Sequence, residues 1–236
     1  MIVCKNCGHQ FEGKYCNRCG QSAKTHRIDG KFLWEDVQHG LLHFDKGIVY
    51  TLKQLYLKPG YVIRDYIAGK RVHHFRPISL SIVLATTYAL IYHLLNISLI
   101  DHSDTDSETL FEHILEHYYW FVFVSIPFFA IGTKISFRDG SYNFWEYFIL
   151  ESFKTAQRLF VHILFLPIIY YFNDLHIARI ILYVLMFIDI ILIIWTNLQF
   201  FKRFKTKEVI WRSLLSYGIY TLLTFILLTI LYLSFN

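Results

Sequence analysis

The four cysteines of the chain lie together near its N-terminus and have the spacing of a metal site. They form two pairs, Cys4 with Cys7 and Cys16 with Cys19, and eight residues separate the pairs. Each pair presents two thiolates to one tetrahedral Zn²⁺, and a glycine directly after its second cysteine lets the backbone turn tightly with φ > 0, so that amide N–H groups can point at the sulfurs. Because about 20 residues cannot bury a core of their own, metal binding must supply the folding free energy. The sequence predicts a cytosolic zinc ribbon over residues 1–22.

The ribbon is predicted to be structural rather than catalytic, since four thiolates leave no open position for water. The minor alternative is a pair of redox-active dithiols, but no βαβ pattern surrounds either pair. We expect Phe11 and Tyr15 to form an apolar plug beside the site. The ribbon has three basic residues against Glu12, which is a weak footprint for nucleic acid. A cytosolic protein is therefore the expected partner.

Three ionisable residues, His93, His162 and Asp189, lie inside long apolar segments. Charge at membrane depth is costly, so such residues are functional candidates. One hypothesis is an intramembrane polar cluster that binds an ion or responds to protons. The alternative, which we favour, is that each residue makes a local hydrogen bond that fixes helix packing.

A second candidate lies in an acidic segment, where residues 113–117 read His-x-x-Glu-His. This is the arrangement of one class of zinc peptidases, which need a further ligand and a folded catalytic domain. A loop of this length cannot supply them, although metal binding by the loop stays open. The sequence has no Gly-rich phosphate loop, nucleophile elbow or kinase signature either. We therefore predict no enzyme activity.

The composition indicates which elements position these residues. Of the 236 residues 55% are hydrophobic and only 17% are charged, and the apolar residues form blocks of roughly 20, the length that crosses a bilayer as a helix. The sequence predicts an all-α integral membrane helix bundle over residues 78–234, with about five transmembrane helices. The predicted spans are residues 78–100, 118–136, 158–172, 177–200 and 214–233.

Basic and non-basic loops alternate along this bundle. Residues 64–76, 133–143 and 201–212 carry Lys and Arg, whereas residues 101–117 and 173–176 carry neither. Because cytoplasmic loops hold the excess of Lys and Arg, the alternation predicts a cytosolic N-terminus and a C-terminus outside.

Two amphipathic segments complete the organisation. Residues 23–77 are predicted to form cytosolic juxtamembrane helices, one of them over residues 31–57, which either lie on an anionic leaflet or pack on the bundle. Residues 143–158 are predicted to begin one long helix whose first half is interfacial or buried in the bundle. Within it, Glu151 and Lys154 are three residues apart and able to pair.

The motifs of the first 80 residues resemble an uncharacterised bacterial membrane family, the domain-of-unknown-function family number three-six-six-seven. The motifs are the two cysteine knuckles, the second followed by Gln21, then Lys58-Pro59-Gly60 and residues 65–71. The resemblance implies the bacterial inner membrane and brings no reaction, substrate or catalytic residue. It draws attention to Lys70 and Arg71, which with Arg76 would contact lipid headgroups or a partner; the favoured alternative is an ordinary basic flank that sets topology.

The expected function is a membrane-anchored interaction or sensory/adaptor module whose ribbon contacts a cytosolic protein. The alternative is a small transporter or channel subunit that uses His93, His162 and Asp189. Five spans are few for a carrier, so this alternative requires a homo-oligomer. The expected surroundings are the lipid bilayer and a protein partner, with no nucleic acid.

Overall fold

The fold of the chain is mostly helical in a computed structural model that describes residues 1–40, 47–97 and 118–235. The His-x-x-Glu-His motif and the acidic loop at 101–117 lie outside these residues. Near the N-terminus, β1 (Ile2–Val3) pairs antiparallel with β2 (Gln10–Phe11). This hairpin carries the first cysteine pair.

Helices form most of the remaining described chain. They are α1 (Gly30–Gly40), α2 (Gly47–Leu57), α3 (Pro59–Ile67), α4 (Pro77–Leu94), α5 (Tyr118–Ser136), α6 (Phe144–Phe172), α7 (Leu175–Phe200) and α8 (Thr206–Phe235). The helix predicted over residues 31–57 is seen as α1 and α2, on either side of residues 41–46, which lie outside the described part.

Four of these helices are long and apolar enough to cross a membrane by length and composition. They are Pro77–Leu94, Phe144–Phe172, His176–Phe200 and Thr206–Ile230. In α5 the apolar part among the described residues is Val124–Ser136, which is shorter than the 18 residues required of the other four. The structure therefore supports four of the spans, and the total of about five stays a prediction.

The outer faces of α7 and α8 expose large apolar side chains. Phe187 is 64% exposed, Phe225 67% and Leu233 70%. Water is a poor solvent for an apolar surface of this extent, whereas the hydrocarbon of a bilayer is a good one. These faces are compatible with a membrane protein.

Helix α6 is one continuous helix of 29 residues. It begins at a capping box, in which the Asn143 side chain accepts from the Glu146 amide and the Glu146 carboxylate accepts from the Asn143 amide. Between Glu146 and Gln157 every residue except Phe148 is buried. Most of the segment predicted as interfacial or buried is therefore buried by protein, and the structure agrees with the prediction of one long helix that begins there.

The turns between α5 and α6 and between α7 and α8 meet at one end of the bundle, here called the ribbon end. The rings of Phe137 and Phe201 stack there with centroids 3.8 Å apart. Helix α3 packs on this end so closely that a Cβ on Gly60 would overlap the backbone nitrogen of Phe200. Pro59, at the first position of α3, starts the helix without needing an amide donor. The Pro-Gly pair thus begins a helix and lets its backbone touch α7.

Candidate metal centre and its attachment to the bundle

The two cysteine pairs converge on one site. All four Sγ atoms lie within 4.8 Å of one another, with 3.5 Å between Cys4 and Cys19 and 3.7 Å between Cys7 and Cys16. Sulfurs bound tetrahedrally at about 2.3 Å from one zinc ion would be about 3.8 Å apart. The four thiolates therefore fit a single tetrahedral ion, and the cluster can bind a metal.

Both knuckles have the same backbone conformation. The amide of Gly8 donates to the carbonyl of Cys4 at 2.9 Å, and the amide of Gly20 donates to that of Cys16 at 2.8 Å. The φ angles of the two glycines are 72° and 76°, as the sequence predicted. A hydrogen bond from the Gln21 amide is the main cause that lowers the pKa of the Cys19 thiol to about 6. The His9 amide likewise lowers the pKa of the Cys7 thiol, but burial and the three neighbouring thiols raise it to about 11. Backbone donors therefore point at one sulfur of each knuckle.

The apolar plug of the ribbon differs in part from the prediction. Phe11 is buried and packs against Cys4 and Cys16. Tyr15 is 66% exposed, so its assignment to the plug was wrong. Its backbone forms an antiparallel bridge with Ser22, and its side chain remains in solvent. Ala23 packs against the buried cluster.

Gln21 connects the metal centre to the bundle. While its amide faces Cys19, its buried side chain accepts from the Arg71 amide at 3.2 Å and donates to Thr25 Oγ1 at 2.7 Å. Arg71 lies four residues after the end of α3. The residue next to the second knuckle is thus hydrogen-bonded to the segment that leads from α3 into α4.

The side chain of Arg71 holds the same junction together. Its guanidinium donates to the carbonyls of Tyr66 and His26, both at 3.1 Å, and lies 4.4 Å from the ring centroid of Phe32. These contacts are all within the chain. Arg71 therefore stabilises the fold at this junction, a role that was not predicted from the sequence.

The other two cations of that prediction also contact this chain. Lys70 pairs with Asp65 at 2.9 Å, and Arg76 donates to the carbonyl of Glu35 at 2.9 Å. Arg76 Nε also lies 4.0 Å from the carboxylate of Asp36. A headgroup or partner contact of these three residues stays a prediction.

A bidentate ion pair forms a second attachment of the ribbon. Arg27 donates to the two carboxylate oxygens of Glu146 at 2.7 and 3.0 Å, and the Asn143 side chain donates to the carbonyl of Ile28 at 3.0 Å. The capping box at the start of α6 is visible in the sequence as Asn-x-x-Glu. Its partner Arg27 is 119 residues away, and no local pattern indicates it.

The buried carboxylate of Asp36 attaches α1 to the start of α4. It accepts from the amide of Ile78 at 3.4 Å, and Ser79 donates to the Asp36 carbonyl at 3.0 Å. Burial raises the pKa of Asp36 to about 7, against the opposing charge of Arg76. The carboxylate thus sits at the positive end of the α4 dipole but within apolar surroundings.

Of the three residues of the predicted intramembrane cluster, the structure brings two together. His162 Nε2 lies 3.2 Å from both carboxylate oxygens of Asp189, and Arg158 Nη1 lies 3.9 Å from one of them. His93 is exposed in the last turn of α4, with its ring against Tyr92. Arg158 was not among the residues predicted for this cluster. A cation one helical turn before His162 was the available signal.

The first half of α6 carries further buried polar contacts. The predicted pair of Glu151 and Lys154 is confirmed at 2.7 Å, with both side chains almost fully buried, and Thr133 donates to Glu151 at 2.7 Å. Gln157 was not predicted as a contact residue. Its side chain donates to the carbonyl of Leu55 at 2.9 Å, which ties α2 to α6.

These observations define a class of protein: a mostly helical chain with long apolar helices and, attached at one end, a cluster of four cysteines that could bind a metal ion. A family described as "Protein of unknown function (DUF3667)" matches residues 45–89, which include α2, α3 and most of α4. The match supports the resemblance drawn from the motifs, and it carries no activity. No curated protein and no solved structure shows a significant match to this chain.

Proposed function

We propose that this chain is a multi-pass protein of the bacterial inner membrane that acts as a membrane-anchored adaptor or sensory module. The metal centre is a structural zinc ribbon in the cytosol, and it contacts a cytosolic protein. The observation that carries the proposal is the link through Gln21, whose amide faces Cys19 and whose side chain is hydrogen-bonded to Arg71 in the segment that leads into α4. A ribbon held in this way transmits a change in metal or partner binding to the helices.

Zinc is the metal proposed because the donor set is four thiolates at tetrahedral spacing. Such a set selects zinc or iron, and a closed four-thiolate zinc site is structural. The site would supply folding free energy to the ribbon and no reaction chemistry.

The distribution of charge supports the orientation with the N-terminus in the cytosol. The turns and helix ends at the ribbon end carry seven cations, namely Lys134, Arg138, Lys202, Arg203, Lys205, Lys207 and Arg212. Lys and Arg concentrate on the cytoplasmic side of membrane proteins. Because α8 begins at the ribbon end and leads away from it, about five crossings would place the C-terminus outside.

Two exposed side chains of the ribbon support a protein partner. Val3 is 60% exposed and Tyr15 66% exposed, on a ribbon that is otherwise anchored to the bundle. Aromatic side chains with one polar atom are enriched in protein interfaces. Few basic residues lie on the ribbon, so nucleic acid is not the proposed partner.

The test compares the wild-type chain with Cys16→Ser, purified from its native membrane, by metal analysis and by the proteins that copurify. We expect about one zinc per wild-type chain, and loss of both zinc and the partner in the variant. His9→Ala, within the ribbon but outside the four ligands, is the matched control and should keep both. Identical partner sets in wild type and Cys16→Ser would remove the ribbon from the function.

The second candidate function is a small transporter or channel subunit, favoured by the contact between His162 and Asp189. A cavity of about 40 Å³, lined in part by Ser125 and Tyr220, lies beside this pair and is large enough for water. The chain would need to oligomerise to form a path. Ion flux into proteoliposomes that is unchanged by His162→Ala and by Asp189→Asn would rule this candidate out.

A further inference from the structure

A cleft of about 550 Å³ opens at the ribbon end between four parts of the chain. The ribbon contributes Lys5, the linker after it His26 and Arg27, helix α3 Arg64, and the turn before α6 Ser141 and Tyr142. The volume lies within the range of small-molecule sites. Neither the ribbon nor the helices alone supply all the walls. The cleft therefore depends on the attachment of the ribbon.

The acidic residues of the cleft are already neutralised. Asp65 pairs with Lys70 at 2.9 Å, and Glu146 accepts two hydrogen bonds from Arg27. Lys5 and Arg64 have no carboxylate partner among the described residues. The cleft therefore keeps a net positive charge.

Arg64 has unused hydrogen-bonding capacity. Its guanidinium lies over the Tyr61 ring at 5.0 Å, and its Nε is buried without a hydrogen-bond partner among the described residues. Lys5 donates to the carbonyl of Thr25 at 2.7 Å and has two further N–H groups. No guanidinium nitrogen of Arg64 donates to a described residue, and Arg64 lines the cleft, so its donors outside the buried Nε are available to an acceptor there.

The surroundings of Arg64 reinforce the positive potential. Lys202 Nζ lies 3.9 Å from the centroid of the same Tyr61 ring. Lys202, with smaller contributions from Arg64 and Lys58, lowers the pKa of the Tyr61 hydroxyl. Cations from α3 and from the turn after α7 thus meet beside the cleft.

We propose that this cleft binds a phosphate group, with Arg64 as its principal ligand and Lys5 and His26 beside it. Arginine presents a planar fork of donors that matches phosphate oxygens, and a lysine adds a point charge. The volume exceeds that of a bare phosphate ion, which indicates a phosphate carried on an organic group. The chemistry is shared by a phospholipid headgroup and by a soluble phosphate, and the position at the ends of the spanning helices favours the headgroup.

The experiment uses the full-length purified chain and has two arms. Calorimetric titration with inorganic phosphate measures the soluble source, and native mass spectrometry with added dioleoylphosphatidylglycerol measures retention of the headgroup source. Arg64→Gln should lower affinity at least tenfold in every arm in which the wild type binds. Arg203→Gln is the control, because it removes one exposed cation at the same end outside the cleft, and it should change affinity less than twofold.

Binding in the lipid arm alone identifies a headgroup, and binding in the phosphate arm alone identifies a soluble ligand. Lys5→Gln is the second variant, and an intermediate loss with an unchanged melting temperature shows that the ribbon contributes to the site. No binding in either arm, or equal binding by wild type and Arg64→Gln, overturns the proposal. Loss of zinc from the ribbon is measured separately, so failure of the phosphate site is distinguishable from failure of the proposed adaptor function.

Discussion

The two halves of α6 lie in different surroundings. From Glu146 to Gln157 the helix is enclosed by protein and carries two acids and a lysine with almost no exposure. Further along, Leu164 is 55% exposed, Ile168 41% and Tyr171 81%. One continuous helix thus passes from a polar protein interior to an apolar outer surface.

The difference shows how the chain can place charges inside a membrane-type bundle. A helix of 29 residues is about 43 Å long, whereas the hydrocarbon core is about 30 Å thick. The excess length lies at the ribbon end, where α1 to α3 cover it. The buried charges therefore occupy a layer made of protein, and the half that would face lipid is apolar.

Breaking the ion pair inside the enclosed half should have the strongest effect. Lys154→Met leaves the Glu151 carboxylate buried without its cation, which costs about 3–5 kcal/mol of unfolding free energy. The double variant with Glu151→Gln should recover most of this loss. Leu164→Ala in the exposed half should cost under about 1 kcal/mol, and the comparison fails if the Lys154 variant unfolds in detergent at the same denaturant concentration as Leu164→Ala.

The attachment of α1 should depend on pH through Asp36. The folded pKa of about 7 is above the ordinary value near 4, so the folded state keeps a proton that the undocked state loses. The docking of α1 should therefore weaken as pH rises from about 4 to about 7, by at most about 4 kcal/mol. Hydrogen exchange of α1 amides, corrected for intrinsic rates, measures this.

Asp36→Asn should abolish that pH dependence, because the amide does not titrate. Asp65→Asn, at an exposed carboxylate of the same juxtamembrane region, should preserve it. Equal pH dependence in wild type and Asp36→Asn would assign the effect to other groups.

Two glycines allow the close contact between α3 and α7 to be compared with the loosely packed surface of α8. Gly60→Ala puts a Cβ into the backbone of Gln199 and Phe200 and should cost about 1–3 kcal/mol. Gly218→Ala, in α8, meets nothing within 4 Å and should be neutral or slightly stabilising. Thermal unfolding of both variants in one detergent tests the pair, and equal melting temperatures would contradict the close packing.

Removing the ion pair at the ribbon attachment should have the smallest global effect. Arg27 is 65% exposed in its side chain, whereas Glu146 is almost buried and would keep only the Asn143 amide as its donor, so Arg27→Gln should cost about 1–2 kcal/mol. Locally, residues 22–29 should become easier to cleave by a protease, since their link to Glu146 is lost. Lys24→Gln is the matched change in charge and should leave the cleavage rate unaltered; equal rates in the two variants would contradict the attachment.

Several features of the site were predictable because they depend on short segments. The two knuckles have a conformation set by their cysteine and glycine positions. The Glu151 and Lys154 pair follows from helical spacing alone. The assignment of Tyr15 to the apolar plug failed because it depends on a backbone pairing. The bridge to Ser22 leaves the Tyr15 side chain in solvent, and no local pattern indicates that bridge.

Residue types and their spacing were sufficient to predict the cysteine cluster, the long apolar helices and the basic character of one end of the bundle. These depend on residue type and on spacing within a few turns. The packing of the folded chain was needed to show that Gln21 meets Arg71, that Arg27 meets Glu146, and that His162 rather than His93 meets Asp189. Such contacts join residues that are 27 to 119 positions apart in the chain, and their partners are selected by how helices pack rather than by any local pattern.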